Sequence, residues 1–213
     1  VVAPILFAVV AVVAAPVNWW SRAGEGRRAV ECCTKPLVSG CVLGIAVLVQ
    51  PAYAVETGWF LAAFACCVVG DVVLLADDRW FLAGLGAFAV AHGLFAVGML
   101  STDALPGAGA KVVVILTVVA LVVVVAPRVI AGAARQAPAL AAGVGVYVAL
   151  IATMAVVAAI RGTDRAAAGA VCFVLSDAML GWSRFVGRFR GDRVAVMVSY
   201  HLALAGLVSS LWP

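Results

Sequence analysis

Apolar residues run along this chain in blocks of helix length, broken by short stretches that hold most of its charges and its glycine- and proline-containing turns. A helix needs about 20 residues to cross about 30 Å of hydrocarbon at about 1.5 Å per residue, and the blocks reach that length. They predict eight helices at roughly 2–19, 34–50, 57–76, 80–100, 109–126, 138–160, 166–183 and 194–212. Ser101 to Gly107, with its Pro106-Gly107 pair, forms the turn between the fourth and fifth helices. The fifth is expected to end near Pro127, and the connection from Arg128 to Pro138 leads to the sixth.

Composition turns this pattern into a class. Hydrophobic residues make up 66% of the 213, charged residues 11%, and the mean hydropathy is +1.20, far from the soluble range. The expected fold is all-α, a polytopic membrane helical bundle of eight transmembrane helices in a single integral membrane domain over residues 1–213. There is no room for a sizeable soluble domain. The first apolar block lacks a basic n-region and leads into further spans, so it reads as a retained helix and not as a signal peptide.

Charge supplies the orientation. The odd-numbered connections hold Arg22, Arg27, Arg28, Lys35, Arg79, Arg128, Arg135, Arg184, Arg188, Arg190 and Arg193, while the other side holds Lys111, Arg161 and Arg165. That asymmetry puts the odd-numbered connections in the cytoplasm and both termini outside, in a multi-pass protein of the cell's inner (plasma) membrane. The net charge of +4, divided among loops, reflects topology and not a nucleic-acid surface. Cys32, Cys33, Cys41, Cys66, Cys67 and Cys172 lie in or beside predicted helices without a CxxC pair, and read as packing residues.

Two carboxylates stand against this background. Asp71 follows Gly70 in the run 66–75, and Asp177 follows Ser176 in the run 172–181, with no other charge in either. A carboxylate in hydrocarbon costs several kcal/mol unless it faces a polar interior, so both are functional-site candidates. Helices three and seven hold equivalent places in two sets of four, which suggests a 4+4 parallel repeat. Asp71, Asp177, Lys35, Tyr200 and His201 all fall toward the cytoplasmic ends of their helices, with His92 halfway along helix four. They are expected to meet in one cavity opening toward the cytoplasmic leaflet. Such a pair of acids divides labour, one donating a proton while the other polarises water or stabilises a cation. Lys35 could hold a lipid phosphate or keep one aspartate ionised, and His92 or His201 could relay protons.

Each residue has a structural rival role. The aspartates could serve helix packing, Lys35 could snorkel, His92 could satisfy an interhelical hydrogen bond, and Tyr200 could be an interface aromatic. Asp77 and Asp78 with Arg79 read as a solvated turn, and Asn18 beside Trp19 and Trp20 as a helix end in the headgroup belt. There is no GxSxG elbow, HExxH pair or glycine-rich phosphate loop. No metal-ligand spacing is present.

Thr34-Lys35-Pro36-Leu37, Gly70-Asp71-Val72-Val73-Leu74, the Phe81, Gly84, Phe88, His92 pattern, Ser176-Asp177 and Ser199-Tyr200 together resemble the YhhN family of small polytopic proteins, which includes the mammalian lysoplasmalogenases. The resemblance runs across nearly the whole chain. It implies an eight-span membrane hydrolase that acts on the vinyl-ether bond of lysoplasmalogens, releasing a fatty aldehyde and a glycerophospho-alcohol. It also places Asp71 and Asp177 at the family's acids, with Lys35, His92 and Tyr200 lining the same pocket. One departure is Leu204, where the family commonly carries Gln after Tyr-x-x-Ala; His201 either replaces that polar group or faces elsewhere. Vinyl-ether hydrolysis begins with protonation of the alkenyl carbon, which suits Asp177 as acid and Asp71 as cation stabiliser or water activator, the reverse remaining open. No cofactor is required, and the expected partners are a lysophospholipid or ether-lipid substrate and the surrounding membrane lipids. The alternatives are hydrolysis of another ether lipid or lysolipid, and a proton-coupled transporter or lipid-binding protein using the same two acids. Oligomeric state has no signal in the sequence.

Overall fold

The computed structural model describes residues 2–24, 27–48, 54–102 and 106–212, and within them every regular element is helical. Eight helices form a bundle: α1 (Val2–Ala23), α2 (Arg28–Leu48), α3 (Ala54–Val73), α4 (Phe81–Leu100), α5 (Ala108–Ala134), α6 (Pro138–Arg161), α7 (Asp164–Phe185) and α8 (Asp192–Ser209). The first seven are long and apolar enough to cross a membrane. The eighth, 18 residues long, opens on Asp192-Arg193 and carries Tyr200-His201, which dilutes its apolar character. The chain is a multi-pass membrane protein. Asp103 to Leu105, within the expected turn before α5, lie outside the described residues.

Three boundaries moved, and one of them, at Pro127, through a proline. Helix α2 was expected to begin at about residue 34, yet it starts six residues earlier at Arg28; Pro36 lies inside it, as expected. The added residues are the polar turns Arg28 to Glu31, which stand beyond the apolar stretch, and they set Lys35 two turns inside the helix instead of at its start. Pro16 is likewise internal to α1, which runs on to Ala23. Pro127 does not end α5. A π-helical segment, Leu121–Val125, precedes it, with Ala126 N–H donating to the Leu121 carbonyl. Proline offers no N–H to the preceding turn, and the wider π turn accommodates that gap while the helix continues to Ala134. Arg128, expected in the connection, therefore lies in the helix, where its guanidinium donates to the Val124 carbonyl.

Helices α1 and α2, α3 and α4, and α7 and α8 pack as the closest pairs, and α2 on α3, α4 on α6 and α8 on both α1 and α2 close a ring. Helix α5 stands outside that ring against α6 and α7. Counted as two sets of four, the second, third and fourth helices of each set pack in corresponding ways, while α1 and α5 differ: α1 reaches α8 and α5 reaches α7. The core is aromatic. Phe60, Phe64, Phe95 and Phe173 are fully buried, and Phe60, Phe64 and Phe95 meet edge to face at centroid separations of 5.0–6.2 Å.

Close helix approach depends on glycine at two crossings. A β-carbon on Gly206 of α8 would stand 2.7 Å from the Gly169 α-carbon of α7, and one on Gly132 would collide with the Phe185 carbonyl. Gly86 and Gly93 face open space. Gly206→Ala and Gly132→Ala are expected to lower stability by about 1–3 kcal/mol through overpacking. Gly86→Ala and Gly93→Ala should leave it unchanged or raise it by about 1 kcal/mol, the helix-propensity difference. Thermal unfolding in detergent measures both, and equal melting of the two groups would contradict these crossings.

Candidate active site

Polar side chains of α2, α3, α7 and α8 gather at the arginine-rich end. Asp71 sits in the last turn of α3, Lys35 two turns into α2, Asp177 about two turns before the end of α7, and Tyr200 about two turns into α8. Because the four helices alternate in direction, these positions fall at one depth. A cavity of about 130 Å³ is lined by Lys35, Asp71, Phe88, Ser176, Asp177 and Tyr200 among others, with Arg22 and Glu31 at its rim.

The two carboxylates have different company. Asp71 is fully buried; its Oδ1 lies 3.3 Å from Lys35 Nζ, and its Oδ2 accepts a 2.8 Å hydrogen bond from the Tyr200 hydroxyl. Asp177 Oδ2 accepts a 2.6 Å hydrogen bond from the Tyr147 hydroxyl and lies 3.4 Å from His92 Nε2. At that separation the histidine contact is electrostatic and not a completed hydrogen bond, and neither imidazole nitrogen has a hydrogen-bond partner. The His92 ring is held instead edge-on by Phe173 at 4.6 Å and Tyr147 at 5.5 Å between centroids. Gly70 is needed beside Asp71, since a β-carbon there would stand 2.6 Å from the Phe88 ring.

The partner pattern follows the helix order. Asp71 on α3 draws one partner from the preceding helix, Lys35 of α2, and one from α8; Asp177 on α7 draws Tyr147 from its preceding helix, α6, and His92 from α4. Corresponding helices of the two sets of four thus supply corresponding partners, with different chemistry: ammonium and phenol around Asp71, phenol and imidazole around Asp177.

His201 stands apart. Its Nδ1 accepts a 2.9 Å hydrogen bond from Trp19 Nε1 of α1, and it does not line the cavity, so it does not fill the place that Leu204 leaves apolar. Asn18 is also turned away: its amide donates to Thr34 Oγ at 3.0 Å, tying α1 to α2. Arg79 and Asp77 form a 3.7 Å pair with both side chains 75% exposed, the solvated turn expected of them, while the Asp78 side chain lies outside the described residues.

Two groups at the site had not been singled out. Tyr147 lies mid-helix in a valine-rich run and counts as apolar in a hydropathy reading, although a buried hydroxyl needs a partner as surely as a carboxylate does. Glu31 pairs with both Arg22 and, at 3.6 Å, Arg193. Arg193 is remote from Glu31 in sequence and is joined to it only by the packing of α8 on α2, while Arg22 meets Glu31 where α1 packs on α2. Among the described residues no three of His, Cys, Asp and Glu come together as a metal-ligand set.

Fold and site together define a polytopic helical membrane protein with two carboxylates in one buried chamber. The chain belongs to the YhhN family, whose family model matches residues 30–211. No curated protein and no solved structure matches it.

Lys35 and Asp71 provide a test of the chamber. Removing one member of a buried pair leaves the other uncompensated and costs about 3–5 kcal/mol. Lys35→Met is expected to melt well below the parent in detergent, and adding Asp71→Asn should recover most of the loss. A double variant whose cost is the sum of the two single costs would contradict the pairing.

Proposed function

We propose that the protein is an integral-membrane hydrolase that cleaves the vinyl-ether bond of lysoplasmalogens, releasing a fatty aldehyde and a glycerophospho-alcohol. The observation that carries this reading is the unequal pairing of two carboxylates that line one cavity. Asp71 is held by an ammonium, whereas the partners of Asp177 are a phenol and an imidazole. One acid is thus provided with a fixed counter-charge and the other is not, an arrangement suited to a carboxylate that stays charged beside a carboxylic acid that gives up a proton.

Asp177 donates a proton to the alkenyl carbon remote from the ether oxygen. The adjacent carbon takes on oxocarbenium character, stabilised by the Asp71 carboxylate, which Lys35 and Tyr200 fix on opposite oxygens. Water adds to that carbon, the hemiacetal collapses to aldehyde and alcohol, and the proton that water releases returns to Asp177. One water is consumed and no cofactor takes part. The Tyr147 hydroxyl engages Asp177 Oδ2, which directs Oδ1 toward substrate.

The odd-numbered connections are assigned to the cytoplasm, with both termini outside, eight spans including α8, and residues 1–213 acting as one domain in the plasma membrane. Corresponding partners around Asp71 and Asp177 support a 4+4 parallel arrangement. The chamber then opens to the cytoplasmic leaflet, where a single-chain lipid enters with its headgroup at the rim.

Asp71→Asn and Asp177→Asn are each expected to lower aldehyde release from a lysoplasmalogen by at least about 100-fold in purified protein. Because the donor must carry its proton, activity should be present at low pH and fall as pH rises through the alkaline limb. Near-normal release by both variants would sink the mechanism. Proton-linked movement across sealed vesicles without aldehyde release would favour a transporter.

A further inference from the structure

Next to the carboxylate chamber lies a larger cavity of about 400 Å³ whose wall is strongly basic. Arg22 comes from the end of α1, Arg27 from just before α2, Arg28 from the start of α2, and Arg193 from the start of α8; Glu31 is the one carboxylate among its described lining residues. Three parts of the chain thus bring four guanidiniums to one concave site against a single opposing charge among the described residues. Glu31 holds two of them, Arg22 and, at 3.6 Å, Arg193. Arg27 donates to the Trp20 carbonyl at 2.8 Å with its guanidinium carbon 3.8 Å over the Trp20 ring, and Arg28 donates to the Leu75 carbonyl at 2.9 Å. A guanidinium carries five N–H donors, so one anchoring bond each leaves Arg27 and Arg28 positioned with donors to spare.

Arg22, Glu31 and Leu74 line both this cavity and the carboxylate chamber. The Arg28 anchor at Leu75 is four residues beyond Asp71 on the same chain. A basic rim is the general expectation for a cytoplasmic membrane edge. Convergence on a concave site adjoining the reaction chamber is not, and Arg128 of α5 and Arg135 just after it, also basic, take no part in it.

We propose that the arginine-walled cavity binds the phosphate of the lipid headgroup, with Arg27 and Arg28 as its principal donors, while Lys35 is committed to Asp71 and does not hold phosphate. Planar, multidentate donors suit a phosphate diester. The assignment deepens the hydrolase reading: the substrate is a phosphorylated single-chain amphiphile, anchored by its phosphate so that the reacting carbon reaches the carboxylates. Inorganic phosphate presents the same chemistry to the cavity.

Binding tests this apart from turnover. The probe is a saturated long-chain alkyl lysophosphocholine, which has no vinyl ether to hydrolyse, bound to the full-length protein in uncharged detergent. The phosphate-free monoalkylglycerol of equal chain length and inorganic phosphate form the other arms. Arg27→Gln with Arg28→Gln is expected to weaken lysolipid binding at least tenfold, about 1.4 kcal/mol, and to leave monoalkylglycerol binding unchanged. Arg27→Lys with Arg28→Lys should restore part of it. Displacement of the lysolipid by inorganic phosphate supports a phosphate site open to either source; binding that resists inorganic phosphate yet depends on the arginines supports one reserved for the amphiphile. Undiminished lysolipid affinity in the glutamine variant would overturn the proposal, as would an equal loss in Arg128→Gln with Arg135→Gln, or an equal loss of monoalkylglycerol. If the parent binds the lysolipid through these arginines but releases no aldehyde from the vinyl ether, the hydrolase reading fails and the phosphate site stands.

Discussion

A carboxylate cannot remain inside hydrocarbon without partners, and this bundle is arranged around two of them. Isolated charges in a low-dielectric interior are too costly to keep, so each aspartate must draw polar groups from neighbouring helices. Asp71 is joined to Lys35 on α2 and Tyr200 on α8, and Asp177 to Tyr147 on α6 and His92 on α4. Between them these contacts tie together six helices, five of which line the chamber. The aromatic layer of Phe88, Phe173, His92 and Tyr200 packs edge to face around the same groups, which keeps them at fixed distances and limits water.

The two aspartates have chemically different partners, and the proposed mechanism draws on that difference. Different helices supply the partners of each aspartate, and the residues differ: Asp71 is paired with a lysine and a phenol, Asp177 with a phenol and an imidazole. A mechanism that needs both a stabilising anion and a proton donor requires such a difference. The arginines at the mouth add a third element, a preorganised charge outside the hydrocarbon. In the proposed reading it holds the headgroup without placing another cation beside Asp177.

Much of this was legible in the chain. The apolar runs located all eight helices, and Asp71, Asp177, Lys35, His92 and Tyr200 stood out because their side chains are conspicuous in apolar surroundings. What the pattern missed has physical causes. Pro127 read as a helix end, but a π turn carries α5 past it, and the polar residues before Pro36 extend α2 beyond its apolar run. Tyr147 was hidden because its ring is hydrophobic and its hydroxyl alone is polar. The Glu31 pairing with Arg193 depends on ring closure between α8 and the first two helices, a long-range contact that no local spacing encodes. His201 was conspicuous for the same reason as His92, yet one residue beyond Tyr200 on a helix turns it by about 100° toward Trp19.

The central claim is that the chamber protonates an alkenyl carbon and delivers water to its neighbour. Its most direct test is hydrolysis of a lysoplasmalogen in heavy water, with immediate reduction of the product and mass analysis. The account predicts one deuterium on the carbon next to the former aldehyde carbon, and, in oxygen-labelled water, label on the aldehyde side with none entering the glycerophospho-alcohol. Label in the glycerophospho-alcohol, or aldehyde lacking that deuterium, would contradict it.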